Sequence, residues 1–182
     1  SSRPLKYDAV RLADTGPMVF DDKNEFLNRV GVYITFVSFF VFRTELVRSI
    51  PDKERFIDTY FIQSYIALET MRQDGTYCVD THNCLAASGN QTVRYDLYYV
   101  WFESYHRLLF ETGAAAGFRP ACLARVYRRS MAETILDFVL YFRQACGARS
   151  DEWRKDCVYR NLRGYGALYA VFYLAVNCPR AL

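Results

Sequence analysis

Apolar residues recur at three- and four-residue intervals through most of this chain, in stretches long enough for helices. Asp22-Lys23-Asn24-Glu25 has the form of a capping box, in which an acidic cap accepts backbone N–H groups and Glu three residues on reaches back. A helix is predicted to start there. With nothing to break it before Pro51 it runs for about 27 residues, roughly 40 Å at 1.5 Å per residue. Pro51 fits a first helical position, and Ile57, Tyr60, Phe61 and Leu68 mark a second helix that Asp74-Gly75 ends.

An irregular loop, 74–92, follows. A third helix is predicted from Thr92 to Thr112, stopped by Gly113. Pro120 opens a fourth, whose apolar stripe is Ile135, Phe138, Val139, Phe142 and Cys146, with Gly147 as a cap beyond it. Ser150-Asp151-Glu152 starts a fifth, which Gly164 and Gly166 bend or divide before the apolar run Ala167 to Val176. Asn177-Cys178-Pro179 ends it. No strand pattern competes and no repeat is present. The fold class is therefore all-α: about five helices in an irregular bundle, comprising an extended N-terminal arm (1–21), a long apolar helix (22–50) and a helical domain (51–182).

The segment from Val30 to Phe42 is uncharged and has no polar face. A run of this length suits a buried core helix, but Arg29 and Arg43 flank it with side chains that snorkel, and Phe26, Leu27, Leu46 and Val47 extend it. In a locally thinned bilayer the same helix serves as a single membrane span. Basic residues are too evenly spread to set an orientation.

Composition narrows the class. The chain has 182 residues, 52% hydrophobic and 24% charged, which fits one globular domain and excludes a disordered or polytopic membrane chain. A net charge of +3 supplies no field that would hold nucleic acid. The bias lies elsewhere. Tyr and Phe number 15 and 14, and only Lys6, Lys23, Lys53 and Lys155 among the 23 basic residues are lysine. Aromatics and Arg are enriched in buried protein interfaces, where Lys is depleted.

Candidate chemistry is sparse. Glu103 and His106 have the Glu-x-x-His spacing of di-iron bundles, yet a second pair is missing and no catalytic constellation assembles. Cys78, Asp80, His82 and Cys84 gather possible zinc ligands in the loop, without a paired Cys-x-x-Cys pattern. Arg125, Arg128, Arg129, Arg154, Lys155, Arg160 and Arg163 form either a phosphate-binding patch or a salt-bridged face, since acids are interspersed. Six cysteines, Cys78, Cys84, Cys122, Cys146, Cys157 and Cys178, permit three disulfides or serve as small buried hydrophobes. Cys146 and Cys157, with ten residues and a turn between them, resemble the twin-cysteine helical hairpins of mitochondrial intermembrane-space proteins. Those use nine intervening residues and a second matching pair, which this chain lacks. Asn90-Gln91-Thr92 is a glycosylation sequon, and Ser1 in place of Met suits a processed chain.

The expectation is a non-catalytic accessory subunit of a membrane assembly, of the respiratory-chain or ATP synthase kind in the mitochondrial inner membrane. Its partners are other protein subunits and membrane lipid, without nucleic acid, metal or cofactor. Tyr98, Tyr99, Trp101, Tyr105 and Arg107 on the third helix are the expected contact residues, because that helix carries more aromatics than one buried face absorbs. The alternative is a secreted, disulfide-stabilised helical binding protein.

Overall fold

The computed structural model describes residues 16–36, 40–80 and 94–178. These residues are mostly helical, with seven helices packed together and a small two-stranded sheet. Helix α1 is Lys23–Val30. Asp22 caps it by accepting from the backbone N–H of Asn24 at 2.7 Å, and these hydrogen bonds, side-chain first, hold the Asp22 carboxyl below its ordinary range.

The long early helix is not formed. Gly31 takes φ 55° and ends α1, a 3₁₀ stretch Gly31–Thr35 follows, residues 36 and 40–43 are not helical, and α2 is only Thr44–Arg48. Two causes are visible. The segment is rich in Val, Ile, Thr and Phe, which lose side-chain freedom in a helix. The tight turn at Gly31 also packs Val32 and Ile34 into the core, so the apolar run works as core without being helical. Arg129 holds this turn by donating to the carbonyl of Asn28, and a Cβ at Gly31 would come within 2.7 Å of the Arg129 guanidinium. Among the described residues no helix is long and apolar enough to cross a membrane, which corrects the spanning reading of 22–50.

The second helix also starts late. After Pro51 the chain turns through the 3₁₀ segment Ile57–Thr59 and Tyr60, at φ 65°, before α3, Ile62–Thr70. Strand β1, Met18–Phe20, ends the expected arm and pairs antiparallel with β2, Tyr77–Val79, with Val19 opposite Cys78. Three-residue strands leave little alternation to read. What fixes them is packing: Phe20 and Tyr77 lie 6.1 and 5.3 Å, centroid to centroid, from the Phe26 ring.

Helix α4 occupies residues 97–115 and includes two π-type stretches, Tyr99–Ser104 and Leu108–Gly113. Its N-cap is Asp96, which accepts from the Tyr99 N–H at 3.0 Å. Helix α5 covers 120–146, begins at Pro120 and ends at Gly147 with φ 54°, where the sequence placed both boundaries. It includes a π-type stretch, Met131–Ile135. Helix α6, Lys155–Leu162, is separated from α7, Ala167–Asn177, by a 3₁₀ turn and Gly166 at φ 54°. The glycines expected to bend or divide this region therefore divide it.

The core is organised around α4. Trp101 meets Phe61 and Phe138, Tyr98 meets Trp153, Phe102 meets Phe172, and Tyr105 meets Tyr127, all with ring centroids within 6.0 Å. Neighbours on several sides thus bury a helix that one neighbour could not.

Candidate functional site

That central position overturns most of the expected contact set. Tyr98, Trp101 and Tyr105 are core residues of this chain, out of reach of a partner, and of that set Tyr99 and Arg107 alone are half-exposed. Arg107 pairs with Glu111 at 3.1 Å and lies over the Phe56 ring, while Tyr99 carries the Arg154 guanidinium 3.8 Å above its centroid. Burial raises the Tyr98 and Tyr105 hydroxyls well above the ordinary phenol range, so neither supplies a proton acceptor at neutral pH.

The arginine excess has an internal use as well. Cationic side chains cap the carbonyl ends of several helices, where the macrodipole favours positive charge. Lys23 donates to Ala116 O at 2.9 Å beyond α4 and to Met71 O at 3.4 Å beyond α3, and Arg72 adds a bond to Ala115 O at 2.8 Å. Lys53 reaches Arg48 O at 3.1 Å at the end of α2. Arg143 is buried and ties α5 to α7 by donating to Ala175 O and, at 3.0 Å, to Cys178 O. The basic group read from the sequence is partly neutralised: Arg154 pairs with Asp96 at 2.9 Å, Arg160 with Glu103 at 2.8 Å, and Arg129 lies 4.0 Å from Glu133. Arg128 packs over the Tyr165 ring, and Arg125 and Arg163 are exposed.

Glu103 is therefore engaged away from His106. Burial opposes its ionisation, but hydrogen bonds from Asn161 at 2.9 Å and Arg160 outweigh this and hold its carboxyl below the usual range. His106 packs on Phe110 and Tyr127 at 4.5 and 5.3 Å, and burial lowers its pKa. Among the described residues no three His, Cys, Asp or Glu side chains gather to hold a metal. His82 and Cys84 of the loop set, together with the Asn90 sequon, lie outside the described residues, while Cys78 is in β2.

No disulfide joins the described cysteines, which corrects that part of the sequence reading. Cys78 and Cys178 are exposed thiols, Cys122 and Cys157 are buried ones, and Cys146 is half-buried at the end of α5. Burial pushes the Cys157 thiol up to about 11 and raises Cys122 in the same sense, so both behave as small hydrophobes. A cleft of about 190 Å³ between α2 and α3 has its carboxylate, Glu69, paired with Arg72 at 2.9 Å.

What stands out is α7. Its eleven residues, ALYAVFYLAVN, carry no charge, yet only Phe172, Ala175 and Val176 are buried. A helix apolar on all sides is ordinarily enclosed. Here Ala167, Ala170, Val171 and Leu174 point outward at the i, i+3, i+4, i+7 spacing of a packing seam, Val171 at 44% and Leu174 at 59% exposure. Tyr173 borders the stripe on one side, in a cluster with Tyr159 and Tyr169. On α5, Leu140 is also half exposed, one turn before the Arg143 that binds α7. The sequence marks this segment only as an apolar run that ends the last helix; its lack of any charged residue was the signal. Comparison with known protein families, curated proteins and solved structures finds no match.

Proposed function

We propose that this chain is a non-catalytic interaction subunit, held in a larger protein assembly through the outward face of α7. The observation that carries the reading is the uncharged stripe Ala167, Ala170, Val171 and Leu174, exposed on a helix whose composition is that of an interior one. Tyr173, exposed on the same helix, widens it, and exposed apolar surface of this kind marks protein contact. The basis of the subunit reading has thus moved: the aromatics of α4 and many of the arginines serve the chain's own core and helix ends. A seat on a membrane complex, such as one of the mitochondrial inner membrane, would rest on this protein contact. The secreted alternative depended on disulfide staples and is the weaker reading.

The test is the size of the native assembly. Wild-type chain at native abundance should sediment with a mass of at least twice 21.3 kDa, and Leu174→Lys should lower that mass without altering thermal unfolding. Sedimentation as a single chain, or assembly unaffected by Leu174→Lys, would overturn the proposal.

A further inference from the structure

We infer that the partner across the α7 face is a second copy of this chain, paired antiparallel about a two-fold axis between Ala170 and Val171. The inference rests on the interaction reading above and names its nearest neighbour. An isologous contact requires a surface complementary to itself. The stripe meets that condition by the order of its side-chain sizes. A two-fold axis between 170 and 171 places Leu174 of one copy on Ala167 of the other, and Val171 on Ala170. Each layer then sets a large side chain on a small one, the arrangement that lets helices approach and interdigitate.

Charge leads to the same occupant. No residue of α7 is ionisable except tyrosine, so the face meets its own copy without like-charge repulsion. Antiparallel pairing also brings the end of α7 that follows exposed Arg163 beside the carbonyl end of the other α7, where positive charge is favoured. A partner bearing a complementary charge has nothing on this stripe to recognise. Area sets the strength of the contact: four stripe residues with Tyr173 make a small face beside the roughly 1,000 Å² that a specific interface buries. A reversible dimer that depends on concentration is expected.

The pairing geometry makes a test that a merely sticky patch would fail. Purified full chain is followed by sedimentation velocity across a concentration series, alone and as Leu174→Lys and Ala167→Glu. Both positions are exposed, and matching thermal unfolding of the variants shows that they fold. Wild type should shift from 21.3 kDa toward twice that mass as concentration rises. Each variant alone should remain at the lower mass, because a charge faces an apolar layer. Mixed in equal amounts, they should regain the dimer, since position 174 of one chain faces position 167 of the other. Wild type that stays at the lower mass through hundreds of micromolar overturns the second-copy inference, while leaving the assembly test to decide the subunit reading. A mixture that fails to dimerise, variants that dimerise alone, or open-ended aggregation would each overturn it as well.

Discussion

Arg143 shows how one residue can decide whether an element stays docked. Its guanidinium is buried, has no carboxylate partner among the described residues, and binds Ala175 O and Cys178 O, the carbonyl end of α7. Replacing it by Met removes charge-assisted bonds and leaves those carbonyls unsatisfied, an expected loss of about 2–3 kcal/mol in urea unfolding. Arg143→Lys should recover part of it. A loss below about 0.5 kcal/mol would deny the cap this role. Gly31→Ala tests the other strained point, since φ 55° and a close guanidinium both oppose a side chain. It should cost about 1–3 kcal/mol. Glu103 carries a pH dependence whose sign is fixed by its depressed pKa. Its contribution is fully present above the ordinary Glu pKa of about 4.3 and is lost as pH falls through the lower folded value. Glu103→Gln should therefore flatten the acid limb of the stability profile, and an unchanged limb would contradict the Asn161 and Arg160 interaction.

At the scale of elements, the boundaries legible in the sequence were those set by local backbone chemistry. Pro120 opens α5, Gly147 closes it, and Gly166 separates α6 from α7, because proline fixes φ and lacks a donor while glycine admits the positive φ that ends a helix. Boundaries set by packing were not legible. Gly31 reads as a tolerated helix glycine until Arg129 is seen across the turn, and Tyr60 adopts a left-handed conformation that nothing in its own sequence demands. The sheet escaped for the same reason: Phe20 and Tyr77 are drawn together by Phe26. Val41 separates the expected and observed elements directly. It is fully exposed in a non-helical segment, so Val41→Pro should cost under about 1 kcal/mol, whereas the interior of a continuous helix from 23 to 49 would lose about 3 kcal/mol. Denaturant unfolding of that variant decides between them.

For the whole molecule, the aromatic and arginine bias has two readings, and the chain uses both. The aromatics mostly build the core around α4, and Arg72 and Arg143 cap helix ends, which composition cannot distinguish from an interface because the physical demand, apolar area with a polar tip, is the same. The candidate site was hidden by the reverse ambiguity: an uncharged run reads as interior whether its cover comes from the same chain or another. Of the described cysteines, Cys122 and Cys157 follow the interior pattern. Native alkylation without reductant should modify Cys78 and Cys178 quickly, and Cys122 and Cys157 only on unfolding; a disulfide between any of these would contradict the fold. The central claim is that protein covers α7 in the working state. Hydroxyl-radical footprinting tests it most directly, comparing dilute purified chain with the native assembly. Val171, Tyr173 and Leu174 should be strongly labelled in the first and protected in the second, whereas equal labelling in both would contradict the account.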